Sequence, residues 1–321
     1  MAIFVDSEAK RFTLQTAHTT YQMMVGEYGY LFHLYYGDGI GDADTSYLLY
    51  KEERSLCSSP YCAGTDRAFS LDTAPQEYSA GGGGDTRIPC ILPEFPNGGR
   101  ALDLHFDSYE LLQKKPSLEG LPSLQEGKKT CSVLEITLKD SDSDVYVVLQ
   151  YSVFEEDDCI ARSCRVENRT GNVLKLDTVL SACLDMDAEE DLDFISFWGR
   201  HTMERNLERR PVYHGKTVVD SSRGTSSAQQ SPFVILCDHD ATEDTGRCWG
   251  MNFVYSGNFA ASVERSQLGS VRLTMGINPE TFCWTLEDGE TFQAPEVIPS
   301  YSGKGLTAPS QQYHRILREN M

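Results

Sequence analysis

No basic stretch stands anywhere in these 321 residues: 28 Lys and Arg are scattered among 48 Asp and Glu, for a formal net charge of −20. Such a chain is repelled by nucleic acid and by an anionic membrane surface, so neither is an expected partner. The acidity serves solubility. Long apolar runs are missing too, and none approaches the length that crosses a bilayer. The first ten residues lack the basic start and apolar core of an export signal, which places the expected location in the cytoplasm. There the ten cysteines stay reduced. Most of them, Cys164, Cys183 and Cys283 included, fall in strand-like runs and read as small buried apolar groups. Cys57 and Cys62 form the one close pair in a loop-like segment. With no second Cys or His pair nearby at ligand spacing, no zinc site is expected.

Catalytic signatures are equally scarce. The chain has no Gly-x-Ser-x-Gly elbow, and its seven histidines are too scattered to assemble a Ser/His/Asp triad. Residues 81–85, four glycines and Asp85, lack the Lys and Ser/Thr of a phosphate loop and read as a surface loop. Asp140, Asp142 and Asp144 have the spacing that opens a calcium loop. Val145 stands where that loop requires Gly, however, and Tyr151 where it requires a bidentate Glu, leaving a solvated hairpin turn. The acidic run from Asp185 to Asp193 singles out no pair of carboxylates set across a scissile bond and reads as a solvated loop. No cofactor and no metal is expected.

What the chain does have is strands. Leu134, Ile136 and Leu138 alternate with polar residues; Val145, Val147, Leu149, Tyr151 and Val153 follow, then Ile160, Cys164 and Val166, then Leu174, Leu176 and Leu180. Short turns rich in Asp, Asn and Gly separate these runs, which predicts an antiparallel meander. Period-2 runs recur at 28–36, 101–109, 233–237, 249–255, 260–264, 271–275 and 281–286. Roughly 16 to 20 strands are too many for a small sandwich and predict one extended, all-β, two-sheet sandwich over residues 1–305. No linker divides it. Tyr313, Ile316 and Leu317 then fall at helical spacing behind Ser310 as a candidate N-cap, so residues 306–321 are expected to begin a connector helix.

Three segments, 221–233, 254–259 and 275–279, crowd turn formers, hydroxyls, amides and aromatics between strands, as a sugar-binding surface requires. Trp198, followed by Gly199, Arg200 and His201, is expected at the end of a polar loop. A Trp so placed can stack on the C–H face of a pyranose; on its own it reads more often as a core anchor.

Taken together, several segments resemble a known family in sequence and in order. They are His33 to Gly37, Phe69 to Thr73, Gln76-Glu77-Tyr78, Gly84 to Arg87, Leu118 to Pro122, Arg162-Ser163 with Glu167-Asn168, Trp198-Gly199-Arg200, the three loop segments above, and Gly289 to Glu296. The chain resembles, over nearly its whole length, the N-terminal part of glycoside hydrolase family 36 α-galactosidases. The resemblance implies a β-supersandwich whose connecting helix leads into a (β/α)8 barrel carrying both catalytic Asp residues. No motif resembling the barrel's Lys-Trp-Asp-Met-Asn occurs here, so the implied role is non-catalytic.

The family's N-terminal part places a Trp and a loop carboxylate near the galactose pocket, in some members across a tetramer interface. Trp198 matches that Trp. The carboxylate position falls on Glu53, followed by Arg54 as the pattern expects. Here the chain departs from the family, with Glu for Asp and about two extra residues in the loop that follows; the longer side chain shifts the carboxylate by about one bond length. The implied partners are an α-galactoside bound by the intact enzyme, the barrel, and further copies of the chain. Two other readings stand beside this one: a stand-alone sugar-binding module built on Trp198, and an aldose mutarotase using a His such as His201 with a strand-borne Glu.

Overall fold

The computed structural model describes residues 2–51, 59–127, 131–186 and 191–321. Its strands are β1 (Ile3–Asp6), β2 (Arg11–Gln15), β3 (Thr19–Val25), β4 (Leu31–Asp38), β5 (Ile91–Glu94), β6 (Leu104–Leu112) and β7 (Ser132–Asp140). There follow β8 (Val145–Phe154), β9 (Cys159–Asn168), β10 (Leu174–Met186), β11 (Leu192–Arg200), β12 (Met203–Pro211), β13 (Gly215–Ser221) and β14 (Gln230–Asp238). The last are β15 (Cys248–Val254), β16 (Phe259–Arg265), β17 (Val271–Ile277), β18 (Trp284–Leu286), β19 (Thr291–Gln293) and β20 (Glu296–Ser302), before the helix α1 (Thr307–Asn320).

One ten-stranded sheet runs β12-β11-β14-β15-β20-β9-β8-β7-β6, with β19 beside β9. Facing it is a layer made of a six-stranded sheet, β13-β16-β17-β10-β18 with β5 beside β10, and a four-stranded sheet, β1-β2-β3-β4. The all-β sandwich with a short C-terminal helix is therefore as expected, with one layer divided into two sheets. Strand alternation decides which residues enter the core. Val145, Val147, Leu149, Tyr151 and Val153 of β8, Val234 and Leu236 of β14, and Trp249, Met251 and Phe253 of β15 all face the inter-layer core. Their neighbours of opposite parity, among them Ile235, Cys237, Cys248 and Val254, form smaller clusters on the outer face of the ten-stranded sheet. α1 lies on that outer face, where Tyr313 donates its hydroxyl to Ile298 O (2.8 Å) and Ile316 is fully buried.

The predicted meander holds for β7, β8 and β9, which pair in unbroken register. β10 departs and crosses to the facing layer, where it pairs with β17, β18 and β5. The turn before it is pinned to that layer by Asn168, whose Nδ2 donates to Asn172 O (2.8 Å) and Leu286 O (2.9 Å). The helix also differs from expectation: it begins at Thr307, and Ser310 lies inside its first turn. A side-chain cap is unnecessary because the 242–245 loop supplies acceptors, with Leu306 N donating to Thr242 O (3.1 Å) and Thr307 N to Glu243 O (3.0 Å). Among the cysteines expected to be buried, Cys283 is instead exposed, in the turn before β18.

Candidate functional site

Trp198 is not in a loop. It belongs to β11, paired with Asn206 of β12 and Gln230 of β14, two residues before the strand ends at Arg200 and turns into β12. Its strand parity is that of Leu192 and Phe194, both in the inter-layer core, yet at the strand's end its ring is 37% exposed. The ring thus sits at the mouth of the space between the layers. Phe197, of opposite parity, stacks on Phe233 across the outer face (centroids 5.6 Å apart). Gly199 is glycine for a steric reason: a Cβ there would lie 2.6 Å from Glu204 Cα and 2.7 Å from Met203 O. The Trp198-Gly199-Arg200 motif therefore describes an exposed ring held by a turn too tight for any side chain after it.

The three polar segments converge on one another, and the first reaches Trp198 through Gln230. Gly224 N donates to Asn258 Oδ1 (2.6 Å), Ser226 N to Ser256 O (2.9 Å), and Asn278 Nδ2 to Asp220 Oδ2 (2.9 Å) and Ser221 O (3.2 Å). Asn258 Nδ2 in turn donates to Thr281 Oγ1 (3.0 Å). Much of the hydrogen-bonding capacity that made these segments look like sugar ligands is spent on joining them to one another. These bonds make the three segments one hydrogen-bonded unit.

At the opposite end of β11, Leu192 lines a cleft of ≈ 810 Å³ together with His33, Tyr35, Tyr47, Tyr50 and Trp249. Tyr47 and Tyr50 are strongly exposed, and the guanidinium of Arg247 stands over the Trp249 ring at 5.6 Å. Six strand steps, about 20 Å, separate Leu192 from Trp198. Glu53 lies outside the described residues, as do Arg54 and Cys57. The residues on either side of that segment are firmly held: Lys51 Nζ pairs with Glu27 (2.5 Å) and Asp66 (2.8 Å), and Ser59 Oγ donates to Asp66 O (3.0 Å). Lys51, with Tyr28 and the Ala68 amide, holds the Asp66 carboxyl below its ordinary value. Cys62 is exposed, its Sγ 3.4 Å from the Tyr30 hydroxyl.

Two networks of buried charge were not foreseen. In the first, Arg272 clamps Asp185 (Nε to Oδ1 2.7 Å, Nη2 to Oδ2 2.6 Å) and reaches Asp85 (2.8 Å). Arg87 also bridges Asp85 (2.9 Å) and Asp185 (3.3 Å), and all four side chains are at most 2% exposed. Burial acts to raise the Asp185 pKa, but Arg272 and Arg87 outweigh it and hold the carboxyl below its ordinary range. The 81–85 segment is a surface loop tied down at both ends: Gly82 is exposed and Gly83 and Gly84 are half-buried, while Gly81 is buried with its carbonyl accepting from Leu102 N (3.0 Å) and the Asp85 side chain enters the network. Both ends of the acidic run are likewise buried, Asp185 here and Asp193 against Arg209 (2.5 Å) and His239 (2.9 Å). Asp140, expected in a solvated turn, is buried and accepts from Asp103 N (2.7 Å) and Ser143 Oγ (2.6 Å).

The second network centres on Glu77, which accepts from Tyr21 (2.7 and 2.8 Å) and Tyr151 (2.7 Å), and pairs with Arg162 (2.8 Å) and His33 (3.2 Å). His33 with Glu77 is a buried histidine–glutamate contact; His201 is at the exposed β11–β12 turn. The Glu77 carboxylate is 0% exposed and has its acceptor positions taken, so it offers no lone pair to a sugar.

Residues 29–287 match the glycosyl hydrolase family 36 N-terminal domain. The chain belongs to that family. It is 46% identical over its full length to a bifunctional alpha-galactosidase/sucrose kinase, AgaSK, of Mediterraneibacter gnavus, spanning 34% of that protein. It is 39% identical to alpha-galactosidase AgaA of Geobacillus stearothermophilus, of which it spans 44%. The solved galactosidase domain of AgaSK superposes on 99% of the chain with a TM-score of 0.96 at 45% identity, and the chain covers 44% of it. The alpha-galactosidase from Lactobacillus brevis superposes with a TM-score of 0.95 at 33% identity, with 43% of it covered. The chain thus spans between a third and a half of the length of these relatives.

The family 36 segments recognisable in the sequence divide into two groups in space. Gln76-Glu77-Tyr78, Gly84 to Arg87, and Arg162-Ser163 supply the buried networks and specify the fold. Trp198-Gly199-Arg200 and the loops around it present a surface.

Proposed function

We propose that this chain is the non-catalytic N-terminal domain of a retaining α-galactosidase, and that α1 connects it to a (β/α)8 barrel holding both catalytic carboxylates. The observation that carries the reading is the end-to-end match of this chain to 34–44% of two curated relatives named for α-galactosidase activity, within that family's N-terminal domain. Solved complexes of Geobacillus stearothermophilus AgaA variants with stachyose and raffinose point to α-galactosides of that type as the substrate of the intact enzyme. The domain's contribution is the rim of the galactose pocket, through Trp198 and the Glu53 carboxylate.

Within one protomer, Trp198 stands at one end of β11 and the cleft beside the Tyr47–Tyr50 segment at the other. Tyr47, Tyr50 and Tyr61 are 74%, 57% and 101% exposed, and exposed tyrosines are enriched where protein surfaces meet. Both features support a homo-oligomer in which these tyrosines meet a second copy. A cytoplasmic location agrees with nine free cysteines among the described residues.

Calorimetric titration of the chain with galactose and with raffinose separates this reading from a stand-alone sugar-binding module. A rim without its barrel is expected to show no saturable binding tighter than about 1 mM, or about −4 kcal/mol. Saturation well below that concentration, lost in Trp198→Ala, would make the module reading correct. Nothing in the sealed Glu77 site favours a mutarotase.

A further inference from the structure

Cys237 and Cys248 face each other directly across β14 and β15. The adjacent pair is the hydrogen-bonded kind, with Asp238 N donating to Arg247 O (3.0 Å). Cys237 and Cys248 therefore form a non-hydrogen-bonded pair, in which facing Cα atoms stand about 4.5 Å apart, inside the range a disulfide spans. Both side chains point to the outer face, among Ile195, Ile235 and Ala241, and both are fully buried. Arg209 crosses the end of this row, donating to Asp238 O (2.9 Å), His239 O (2.7 Å) and Ala241 O (2.7 Å).

We propose that Cys237 and Cys248 are a peroxide-sensitive dithiol that closes reversibly into a cross-strand disulfide. Cys237 is the attacking sulfur. Hydrogen bonding with Cys248, and then the charge of Arg209, hold its thiol below the ordinary value despite burial, while the same hydrogen bond and burial push Cys248 up. The Cys237 thiolate attacks one oxygen of hydrogen peroxide, the O–O bond breaks, and the hydroxide that leaves takes up the proton the thiol gave up and departs as water, giving a sulfenic acid. Cys248 then attacks that sulfur and loses its proton, the S–O bond breaks and a second water leaves. Two thiols and one peroxide become one disulfide and two waters.

Complete burial selects a small peroxide over a bulky disulfide such as oxidised glutathione. On the outer side Ala241 shares the cluster with the pair, and the partly buried Leu306 packs against that cluster. The bond would also close the root of the loop on which α1 starts, since Gly305, Leu306 and Thr307 hang from Gly246, Thr242 and Glu243.

The test is peptide mapping by mass spectrometry of the whole chain after hydrogen peroxide, with thiols counted under denaturing conditions. The expected result is loss of two of the ten thiols, a Cys237–Cys248 linkage, and full recovery with a reductant; oxidised glutathione should leave both thiols free. In Cys248→Ser the linkage disappears and a sulfenic acid trap labels Cys237. A linkage between the core thiols Cys90 and Cys183 instead, over-oxidation of Cys237 without linkage, or no loss of thiols in the wild-type chain would each overturn the proposal. The wild-type map decides it even where the variant fails to fold.

Discussion

Arg272→Met is expected to cost the fold about 3–5 kcal/mol, the range for removing one partner from a buried ion pair. A domain's whole stability is only about 5–15 kcal/mol. The reason lies in what is left behind. Arg272 is 0% exposed and neutralises Asp185 and Asp85, themselves 1% and 2% exposed. Without it, two carboxylates share the single guanidinium of Arg87, two of whose hydrogen bonds go to Leu71 O and Ala74 O. Asp185 also accepts from Gln76 N (2.9 Å), and Arg272 Nη1 donates to Ile88 O (2.9 Å), so the loss spreads to the wall between β4 and β5. Urea denaturation measures the effect as a fall in midpoint at constant slope. The exposed pair Arg169–Glu167 supplies the control, because Arg169→Met should cost under about 1 kcal/mol. Equal costs at the two sites would refute this view of the network.

Glu77→Gln should cost nearly as much, about 3–5 kcal/mol, although it preserves shape. It leaves Arg162 charged and buried, and puts an amide where two tyrosine hydroxyls, Arg162 and His33 all approach as donors. The pH dependence distinguishes charge loss from packing loss. Burial raises the Glu77 pKa, but Arg162, His33 and Tyr151 together hold it below the ordinary carboxylate value. A depressed carboxylate contributes stability that is fully present above its unfolded value, about 4.3, and is lost as pH falls through its folded value. The gap between wild type and Glu77→Gln should therefore be constant from neutral pH to about 5 and narrow below about 4. A gap that stays the same down to acid unfolding would assign the cost to packing.

These networks explain why the fold was more legible than the site. β8 could be read because Val145 to Val153 alternate without a break, and α1 because Tyr313, Ile316 and Leu317 share one face. β12 and β13 left no such trace, since β12 has no buried residue, β13 buries only Val219 and Ser221, and no apolar stripe marks them. β20 was hidden by Pro299, which argues against a central strand. The structure accommodates it because β20 pairs along its length with β15 but with β9 only at Val297–Arg162, where no continuous ladder needs the missing N–H. Charge defeated the reading of the site. A buried Asp185 and a solvated Asp look alike in one sequence, and the partners Arg87 and Arg272 stand far from it along the chain. Trp198 was legible as a residue of interest, whereas its place in a strand was not, because the polar run before β11 resembled the start of a longer loop.

The central claim, that this chain is an accessory domain without chemistry of its own, is tested most directly by incubating the folded chain with an aryl α-galactoside and following release of the chromophore. No release above the buffer rate is predicted, because the chemistry is assigned to carboxylates in the barrel. Measurable release that copurifies with the chain and survives removal of contaminating enzymes would contradict the account and place a catalytic pair within these 321 residues.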